Sequence, residues 1–414
     1  MGKINVLVNP NDRAGSGKYR CVDPHVTLQN NHGDEFFVEI NMNIDFNDIT
    51  YLKKFNIFFF HRIPGGNYED GLNIIKTIKS FGGKVVIDLD DHWTLDQSHG
   101  LYHQAKRLDY AGKIVSVVRE ADLVTVTTEI LRKEVLKHNK NCVILPNAVN
   151  PNEPQFKPKP TESERLRFGW LGGSSHIKDI ELLKDMPQKI MGLEDKIQFV
   201  LCGYDTRGTV RAFNQETQQW MERPMQPIET TWFMYEIFIT NNFKILEKYP
   251  DYLKHLFKFD NQLTYDDGNM PYKRVWTKSI ESYAKGYNEF DVALAPLFAN
   301  NFNKYKSQLK IIEAGFHKKP IIAQNYGPYT IDLVSMIDKG GSLNPKGNAL
   351  LVESSKNHKQ WAQHMKRLVD NPSLVEDLGE RLYETVKDTY DINNVTKTRA
   401  EIYKNLVWIL TNWT

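Results

Sequence analysis

The sequence predicts an α/β fold with two doubly wound, mainly parallel β-sheets. Short apolar runs rich in β-branched residues alternate with longer amphipathic stretches, and such runs are typical of strands buried on both faces of a parallel sheet. A proline-rich segment interrupts this alternation, which then begins again. Since 414 residues suit two domains of about 100–200 residues each, we predict two Rossmann-like domains.

The first Rossmann-like domain is predicted over residues 1–150. Its strands are expected at residues 4–9, 36–40, 56–60, 84–89, 123–128 and 142–149. Helical patterns at 70–80 and 128–138 lie between strands, as expected of repeated βαβ units. Residues 151–165 hold several prolines and few apolar side chains. Because proline cannot donate to a β-ladder, we predict a linker here.

The second Rossmann-like domain is predicted over residues 166–391. Its strands are expected at residues 165–172, 197–203, 291–297, 320–324 and 349–354. Residues 205–282, between two of these strands, are rich in aromatic side chains but show no clear strand pattern. The aromatic content argues against disorder and predicts a folded, mainly helical insertion. This insertion either packs on the second domain or forms part of an acceptor site or a protein interface.

The composition argues against several classes of function. A formal net charge of +2 does not indicate a nucleic-acid partner, which usually has to face a strongly basic surface. The sequence has no apolar run near the roughly 18–20 residues that a transmembrane helix needs. Its three cysteines are far apart and lack metal-binding or redox spacing, so we expect reduced thiols in a cytoplasmic protein.

The segment NKYKSQLKIIEAGFHKKPIIA, residues 303–323, carries the first candidate site. It is expected to form a helix and then a strand, with Ser307 as the helix N-cap. The free amides at the start of a helix suit a diphosphate. Glu313 follows about two turns along, where its carboxylate could accept hydrogen bonds from both hydroxyls of a ribose. The alternative is that Glu313 is a solvated helix residue.

Together with the neighbouring strands, this segment resembles the donor site of GT-B fold glycosyltransferases of family 4, which retain anomeric configuration. Their signature has two glutamates eight residues apart; Glu313 matches the second, and Tyr305 occupies the position of the first. KSQLKIIE also resembles a Lys-Ser-x-Leu-Lys-x-x-Glu variant. The resemblance implies that Glu313 binds the nucleotide ribose and that position 305 faces the donor sugar. It implies further donor contacts for Lys306, Ser307 and Leu309.

A second candidate donor segment is RFGWLGGSSHIKDIELL, residues 167–183. A strand is expected to lead into Gly172 and Gly173, where glycine lets the backbone approach a phosphate closely. Lys178 could neutralise a leaving diphosphate, or it could be a surface lysine on an amphipathic helix. Family 4 sequences usually carry an arginine near these glycines; it is absent here, and His176 or Ser174 is a candidate replacement.

The segment VVIDLDDHW, residues 85–93, carries acidic side chains at the carboxyl end of a strand, where α/β proteins bind ligands. Family 4 members often have a His-Asp pair or an Asp-x-Asp-Asp run here. Asp90, Asp91 and His92 are therefore expected to orient the acceptor hydroxyl or to stabilise the transition state, with helix capping as the alternative. Asp88 and Asp90 also resemble the metal-binding pair of GT-A glycosyltransferases, but that fold would leave the second domain unexplained.

The segment NPNDRAGSGKYR, residues 9–20, follows the first strand. It matches neither the P-loop nor the Rossmann glycine pattern, because each requires a glycine that is missing here. Gly15 and Gly17, with Arg20, instead resemble the glycine loop that lines the acceptor side in GT-B proteins. Arg62, after the third strand, could also face the acceptor, with a surface arginine as the alternative.

The resemblance covers most of the chain apart from residues 205–282. It implies that the two domains face each other across a cleft, with a nucleotide sugar, most often a UDP-sugar, on the second domain and the acceptor on the first. The last helix, at about 392–414, is implied to join the first domain. Metal ions and other cofactors are implied to be dispensable, since helix amides and Lys178 stabilise the diphosphate.

These observations predict a cytoplasmic glycosyltransferase, and the resemblance implies that it retains anomeric configuration. The acceptor stays open among a glycan, a lipid-linked glycan, a protein and a modified nucleic acid, and so does peripheral contact with a membrane. Tyr305 and the missing arginine motivate one alternative, a nucleotide-sugar-binding protein with a decayed site. A sugar epimerase or a phosphorylase on the same fold is the other alternative.

Overall fold

The chain folds into two compact units, each with its own hydrophobic core. The computed structural model describes residues 2–12, 15–66, 68–159, 162–190, 192–214, 218–259, 267–338, 340–353 and 358–408. The first unit comprises Met1–Glu153, Ala299–Ile312 and Val386–Thr414. The second unit comprises Pro154–Phe298 and Glu313–Thr385.

The first unit is built on a six-stranded parallel sheet. Its strands are β1 (Ile4–Asn9), β2 (Phe36–Ile40), β3 (Ile57–His61), β4 (Lys84–Leu89), β5 (Leu123–Val126) and β6 (Cys142–Ile144). They lie in the order β2-β1-β3-β4-β5-β6, with every neighbouring pair parallel. Phe58, Phe59 and Phe60 are all fully buried, because both faces of this sheet are covered. The predicted doubly wound sheet is confirmed here.

Helices cover both faces of this first sheet. They are Asp23–Asn31, Ile49–Leu52, Gly71–Ser80, Tyr102–Arg107, Tyr110–Glu120, Glu129–Val135, Asn301–Lys304 and Ile392–Trp408, with a wide π-type turn at Gly17–Val22 and a 3₁₀ turn at Pro64–Gly66. The C-terminal helix packs against Asp23–Asn31, where Nε2 of His25 lies 2.8 Å from the hydroxyl of Tyr403. Residues 409–414 of the predicted last helix lie outside the described residues.

The second unit contains a second six-stranded parallel sheet and a separate hairpin. Its strands are β7 (Leu166–Leu171), β8 (Ile197–Tyr204), β9 (Thr209–Asn214), β10 (Gln219–Pro224), β11 (Tyr272–Trp276), β12 (Val292–Ala295), β13 (Ile321–Gln324) and β14 (Leu350–Val352). The sheet order is β11-β8-β7-β12-β13-β14, and β9 pairs with β10 as an antiparallel ribbon. The second predicted parallel sheet is thereby confirmed.

Residues 205–282 contain helices, as predicted, but also three strands that the sequence did not predict. The hairpin β9–β10 lies in this region, and β11 pairs with β8 as the edge strand of the sheet. The helical part centres on Thr231–Thr240 and Pro250–Phe257. Trp232 and Tyr235 pack in the core of the second unit. The insertion is therefore a part of this unit, and its last strand belongs to the sheet itself.

The remaining helices of the second unit surround its sheet. They are Ile177–Ile180, Met186–Lys189, Tyr329–Asp332, His358–Asp370 and Ser373–Val386, with 3₁₀ turns at Pro154–Phe156, Glu181–Leu183, Pro227–Glu229, Lys244–Leu246, Asp267–Asn269 and Tyr283–Glu289. The helix Leu309–Phe316 begins within the first unit and ends within the second. Trp361, Met365 and Leu368 form the buried stripe of His358–Asp370.

The segment Ala299–Ile312 belongs to the first unit, whereas the sequence predicts it inside the second domain. Tyr305 lies in the hydrophobic core of the first unit, and Nε2 of Gln308 donates to the hydroxyl of Tyr390 at 2.7 Å. These side-chain contacts, which join positions far apart in the sequence, determine where the segment packs.

The described helices include none that is long and apolar enough to cross a membrane. Cys21 and Cys142 are buried free thiols of the first unit, and Cys202 is a buried free thiol of the second. Burial raises the pKa of Cys142 to about 12 and raises the pKa of the other two thiols as well.

Candidate active site

The first group of candidate residues lies after the carboxyl ends of β1, β3 and β4. These parallel strands are neighbours in the sheet, so the loops that follow them meet at one edge. The loop after β1 carries Gly15 and Gly17, the residue after β3 is Arg62, and the loop after β4 carries Asp90 and Asp91. The structure therefore brings together residues that are up to about 75 positions apart in the chain.

The glycine loop after β1 requires its glycines. Gly15 has a φ of 47°, which favours glycine. A Cβ atom on Gly17 would lie 1.9 Å from the backbone oxygen of Asp12, so no other residue fits without a shift of the loop. Ser16 lies between these glycines, and its hydroxyl donates to Oδ2 of Asp90. The loop thus holds a hydroxyl against the carboxylate at the end of β4.

Asp90 is the centre of a dense set of hydrogen bonds. Its Oδ1 accepts from Nη2 of Arg62 at 2.7 Å and from Nε2 of His61 at 3.0 Å, while Ser16 donates to Oδ2. Burial opposes ionisation of this carboxyl, but the charges of Arg62 and His61 and the hydrogen bonds outweigh burial and hold its pKa well below the ordinary value. Asp90 is therefore an ionised carboxylate whose two oxygens are already engaged.

Asp91 differs sharply from its neighbour. Its side chain is 26% exposed, and Oδ2 accepts from Nη2 of Arg62 at 3.3 Å. Desolvation and the like charge of Asp90 raise its pKa, although the charges of Lys306 and Arg62 oppose this shift. Of the two adjacent acids, Asp91 is thus the more exposed and the one whose pKa is raised.

Arg62 connects these two carboxylates. The charge of Asp90, opposed by burial and assisted by the charge of Asp91, raises the pKa of Arg62, so the guanidinium stays charged. Its backbone has a φ of 64°, a left-handed conformation that is costly for a residue with a Cβ atom. The side chain is 33% exposed, so part of the guanidinium is open to solvent.

Arg20 does not lie on an acceptor surface. It is fully buried, and it forms a bidentate pair with Asp88 at 2.7 and 2.9 Å. Its Nη1 also donates to the backbone oxygen of Leu145 and to Oδ1 of Asn147. The predicted acceptor contact is wrong, because long-range partners hold this arginine inside the unit as a structural ion pair.

The same pair bears on the metal-binding alternative at Asp88 and Asp90. Asp88 is fully buried, and its Oδ1 also accepts from Oγ1 of Thr125 at 2.5 Å. Both oxygens of Asp88 therefore have protein partners. In the part of the chain that the structure describes, no cluster of three or more histidine, cysteine, aspartate or glutamate side chains could hold a metal ion.

His92 and Tyr305 are in direct contact. Their rings stack with centroids 4.6 Å apart, and His92 also stacks on Trp93 at 4.4 Å. The hydroxyl of Tyr305 donates to Glu134 at 3.2 Å, and Tyr305 is only 8% exposed. Burial lowers the pKa of His92, so its ring is neutral at physiological pH. Tyr305 is therefore a core residue that supports His92. Its packing argues against an open contact with a donor sugar.

The other residues of this segment have separate environments. The helix begins at Leu309, so Ser307 precedes the N-cap position, and its hydroxyl accepts from Nδ2 of Asn147 at 2.9 Å. The predicted N-cap is thus displaced by one residue because the tertiary contact holds Ser307 outside the helix. Lys306 is half-buried and close enough to Asp91 to influence its ionisation. The side chain of Leu309 is also half-buried.

The second group of candidate residues lies in the second unit and centres on Glu313. Glu313 is 3% exposed. The hydroxyl of Tyr283 donates to its Oε1, and the hydroxyl of Tyr287 donates to its Oε2 at 3.1 Å. The alternative of a solvated helix residue is therefore wrong. Each carboxylate oxygen accepts a separate hydroxyl, and an ionised carboxylate has acceptor sites for more.

His317 fixes the backbone around Glu313. Its Nδ1 lies 2.8 Å from the backbone oxygen of Glu313, and its Nε2 lies 2.8 Å from that of Gln155. The ring also stacks on Tyr287, with centroids 5.1 Å apart. Burial lowers the pKa of His317 to about 4, so the ring is neutral near pH 7. Glu313, Tyr287 and His317 therefore form one packed group.

Gly172 and Gly173 follow β7 and enter a loop that leads to the short helix Ile177–Ile180. A Cβ atom on Gly173 would meet no other atom within 4 Å, so the fold itself does not require glycine there. At Gly203, whose φ is 101°, a Cβ atom would instead lie 2.5 Å from the backbone oxygen of Gly172. Gly173 therefore leaves open space that a ligand could occupy.

Lys178 and His176 have different surroundings in this loop. The side chain of Lys178 is 49% exposed, and its Nζ donates to Glu181 at 3.1 Å. Nδ1 of His176 donates to Oδ2 of Asp179 at 2.7 Å, and the backbone N–H of Phe298 donates to Oδ1 of the same residue. His176 is thus oriented by a buried acid, whereas Lys178 is a half-exposed cation paired with Glu181.

Several residues of these groups were not predicted as site residues. They are Ser16, Tyr283 and Tyr287. His61 is buried, and its Nδ1 has no hydrogen-bond partner among the described residues. Only the position of Ser16 between two glycines gave a local signal. The tyrosines reach Glu313 from 26 and 30 residues away, which no sequence pattern reveals.

No protein-family model matches the sequence, and no curated protein matches it either. Solved structures do match. HepE from Anabaena, bound to UDP and glucose, shares 11% identity over 98% of this chain and 100% of its own, with a TM-score of 0.56. A glycosyltransferase from Rickettsia africae shares 13% identity over 99% of this chain and 100% of its own, also with a TM-score of 0.56. OtsA, in its apo form, shares 11% identity over 97% of this chain and 99% of its own, with a TM-score of 0.57.

The fold is GT-B. The match extends over nearly the whole of each chain and includes both six-stranded parallel sheets, which the GT-A alternative would not provide. At identities this low, the likeness establishes the fold, and functional assignments rest on the residues themselves. In this GT-B protein, those residues form one polar group in each unit.

Proposed function

We propose that this GT-B protein is a glycosyltransferase that transfers a sugar from a UDP-sugar to an acceptor hydroxyl. The observation that carries the proposal is the environment of Glu313. Its two carboxylate oxygens each accept a hydroxyl, the arrangement that the 2′ and 3′ hydroxyls of a ribose would need. The structure of HepE, which has the same fold, contains UDP and glucose, and this supports a nucleotide as the ligand.

The diphosphate of the donor would lie beside Gly173 and Lys178. The open space at Gly173 allows a phosphate to approach the backbone. Lys178 is exposed enough to leave Glu181 and to neutralise charge that develops on the leaving diphosphate. We propose that this cation supplies the required electrostatic stabilisation, so that transfer needs no metal ion.

In the first unit, we propose that Asp91 binds the acceptor hydroxyl and that Asp90 acts as a positioning residue. Asp90 is engaged by Arg62, His61 and Ser16, whereas the side chain of Asp91 is 26% exposed. Arg62 would hold both carboxylates in place and could also contact the acceptor. Retention of anomeric configuration, as in the family that the sequence resembles, is part of this proposal.

A nucleotide-sugar-binding protein without turnover is the second candidate. The observation in its favour is Tyr305, which replaces the first signature glutamate and packs on His92 in the core of the first unit. Such a protein would bind the donor through Glu313 but would not transfer the sugar. A transferase and a binding protein would therefore both bind the nucleotide, but only the transferase would turn over the donor.

The decisive experiment is a thermal-shift and calorimetry screen of UDP, GDP, ADP and the matching nucleotide sugars. A ligand at about 100 times its Kd should add about 2.7 kcal/mol of stability. We expect UDP to stabilise the wild type and Glu380→Ala, an exposed control in the same unit, but not Glu313→Ala. Equal UDP affinity in Glu313→Ala, or no stabilisation by any nucleotide, would contradict the donor site. Release of UDP only when an acceptor is present would distinguish transfer from binding alone.

A further inference from the structure

The second unit contains a cavity that the proposed donor site does not use. It has a volume of about 800 Å³ and lies against β14, the edge strand of the second sheet. One face of the helix His358–Asp370 forms one wall, and the segment around Ser335, which bridges to Ala349 beyond that edge, forms another. Neither Glu313 nor Lys178 lines this cavity.

The lining consists mainly of planar, hydrogen-bonding side chains. They are Asp338, Glu353, Gln360, Gln363, His364 and Arg367. Small-molecule pockets are usually lined by apolar and aromatic side chains with only a few polar groups. A lining dominated by carboxylates, amides and a guanidinium suits a ligand that presents many hydroxyl groups, because each planar group can bond two neighbouring oxygens.

Arg367 is the group that most clearly lacks a partner. Its Nε is shielded from solvent, and within the described residues it has no hydrogen-bond acceptor. The carboxylates of the lining accept hydrogen bonds from groups other than Arg367, and each keeps further acceptor sites. Asp338 accepts from the backbone of Gly340 and Ser342, and Glu353 accepts from Asn325. Arg367 lines the cavity, and among the described residues its guanidinium forms no ion pair with a carboxylate. Its Nη groups are therefore the ones that could donate to a ligand.

The balance of charge argues against a phosphate or another anion. Among the described residues, the carboxylates of Asp338, Glu353 and Asp370 line the cavity together with two cations, Lys366 and Arg367. Lys366 is already paired with Asp370 at 2.7 Å. His364 adds no positive charge near pH 7, because burial lowers its pKa. An anionic ligand would meet a net negative lining, whereas an uncharged ligand with many hydroxyls would not.

We propose that this cavity binds a neutral oligosaccharide through its hydroxyl groups, with Arg367 as the principal donor and the carboxylates and amides as acceptors. Its volume falls within the range of about 300–1,000 Å³ that is usual for small-molecule sites. This second carbohydrate site goes beyond the proposed transferase activity, because it lies apart from the donor residues and would hold a glycan that is not reacting.

The test is calorimetry of the full-length protein with maltotriose, cellotriose and chitotriose, and with inorganic phosphate as the anionic probe. We expect at least one trisaccharide to bind and phosphate not to compete with it. Arg367→Ala and Gln363→Ala should each weaken that binding at least tenfold. Lys359→Ala, an exposed position of the same helix outside the lining, should leave it unchanged. Gln363 is exposed, so its variant should fold even if Arg367→Ala does not.

The proposal is overturned if none of the trisaccharides binds, if phosphate binds in their place, or if both cavity variants bind as the wild type does. Glu313→Ala separates this proposal from the donor site, since it should abolish UDP binding and leave trisaccharide binding intact. Loss of both in Glu313→Ala would place the trisaccharide at the donor site and would also overturn the second site.

Discussion

Arg62 donates two hydrogen bonds to a single oxygen of Asp90, at 2.7 and 3.1 Å, from a backbone held at a φ of 64°. A left-handed conformation costs a residue with a Cβ atom about 1–2 kcal/mol. The strained backbone and the ion pair therefore depend on each other: the pair offsets the strain, and the strain aims the guanidinium at both carboxylates. Strain of this kind is concentrated at functional sites.

Two substitutions of Arg62 separate the contribution of its ion pair with Asp90 to stability from the cost of its strained backbone. Arg62→Ala removes the partner of a largely buried carboxylate, so we expect a loss of about 1–3 kcal/mol in the free energy of unfolding, after allowance for the partial exposure of Arg62. Arg62→Gly should lose about 1 kcal/mol less, because glycine adopts positive φ without strain. Urea unfolding at pH 7 measures both values. Equal losses would show that the backbone stores no strain here.

Ionisation of Asp90 and ionisation of Asp91 should have opposite effects on the free energy of unfolding. Folding lowers the pKa of Asp90, so its contribution is present above the ordinary pKa of about 3.9 and is lost as the pH falls through the lowered value. Folding raises the pKa of Asp91, so its contribution is present at low pH and is lost as the pH rises through the raised value.

Asp91→Asn should therefore stabilise the protein at pH 7, by about 0.5–2 kcal/mol, while it lowers transferase activity. Asp90→Asn should destabilise the protein at pH 7 and reduce its loss of stability in acid. Thermal unfolding between pH 3 and 8 checks both signs. A destabilised Asp91→Asn variant at pH 7 would mean that Arg62 and Lys306 outweigh burial and the charge of Asp90.

Two glycines of the second unit should respond differently to alanine. Gly203→Ala would place a Cβ atom 2.5 Å from the backbone oxygen of Gly172, at a φ of 101°, so we expect a loss of about 1–3 kcal/mol of stability. Gly173→Ala has open space and should change stability by less than about 0.5 kcal/mol. If a phosphate approaches the backbone there, Gly173→Ala should still weaken UDP-sugar binding about tenfold. Unchanged binding by calorimetry would move the diphosphate away from this loop.

The hydroxyl of Tyr283 should compete with the nucleotide for Glu313. It donates to Oε1, the position that one ribose hydroxyl would need, and its side chain is only half-buried. Tyr283→Phe removes this competitor, so we expect UDP to bind about five- to tenfold more tightly, the equivalent of about one hydrogen bond. Tyr287 donates to the other oxygen but is only 2% exposed, so we expect Tyr287→Phe to change UDP affinity less than Tyr283→Phe does. Weaker UDP binding in Tyr283→Phe would show that the hydroxyl assists the nucleotide.

Most of the fold could be predicted because its strands are buried on both faces and therefore read as apolar runs. The edge strand β11, with the sequence YKRVW, could not, since Lys273 and Arg274 interrupt the run. Arg274 is tolerated in the unit because Glu236, from a helix in the insertion, accepts its hydrogen bonds at 2.7 and 2.9 Å. A charge neutralised by a partner 38 residues away leaves no local pattern.

The candidate sites show the same limit. Strand ends and a helix signal pointed to Asp90, Asp91 and Glu313, because the carboxyl edge of a parallel sheet is where such residues meet. Arg20 looked like a loop arginine of the acceptor side, yet Asp88, 68 residues away, holds it inside the unit. The spacing within a motif predicts which strand a residue follows. The direction of its side chain depends on contacts with residues far away in the sequence, which the motif does not contain.

Chemical labelling of the three buried thiols can report when the structure around each of them opens. A thiol reagent modifies a cysteine only after the surrounding structure has separated, and the raised pKa values slow the reaction further while the fold is intact. Cys21 and Cys142 mark the first unit, and Cys202 marks the second. Mass spectrometry of pulse-labelled protein would therefore time the opening of each unit separately, with no engineered probe.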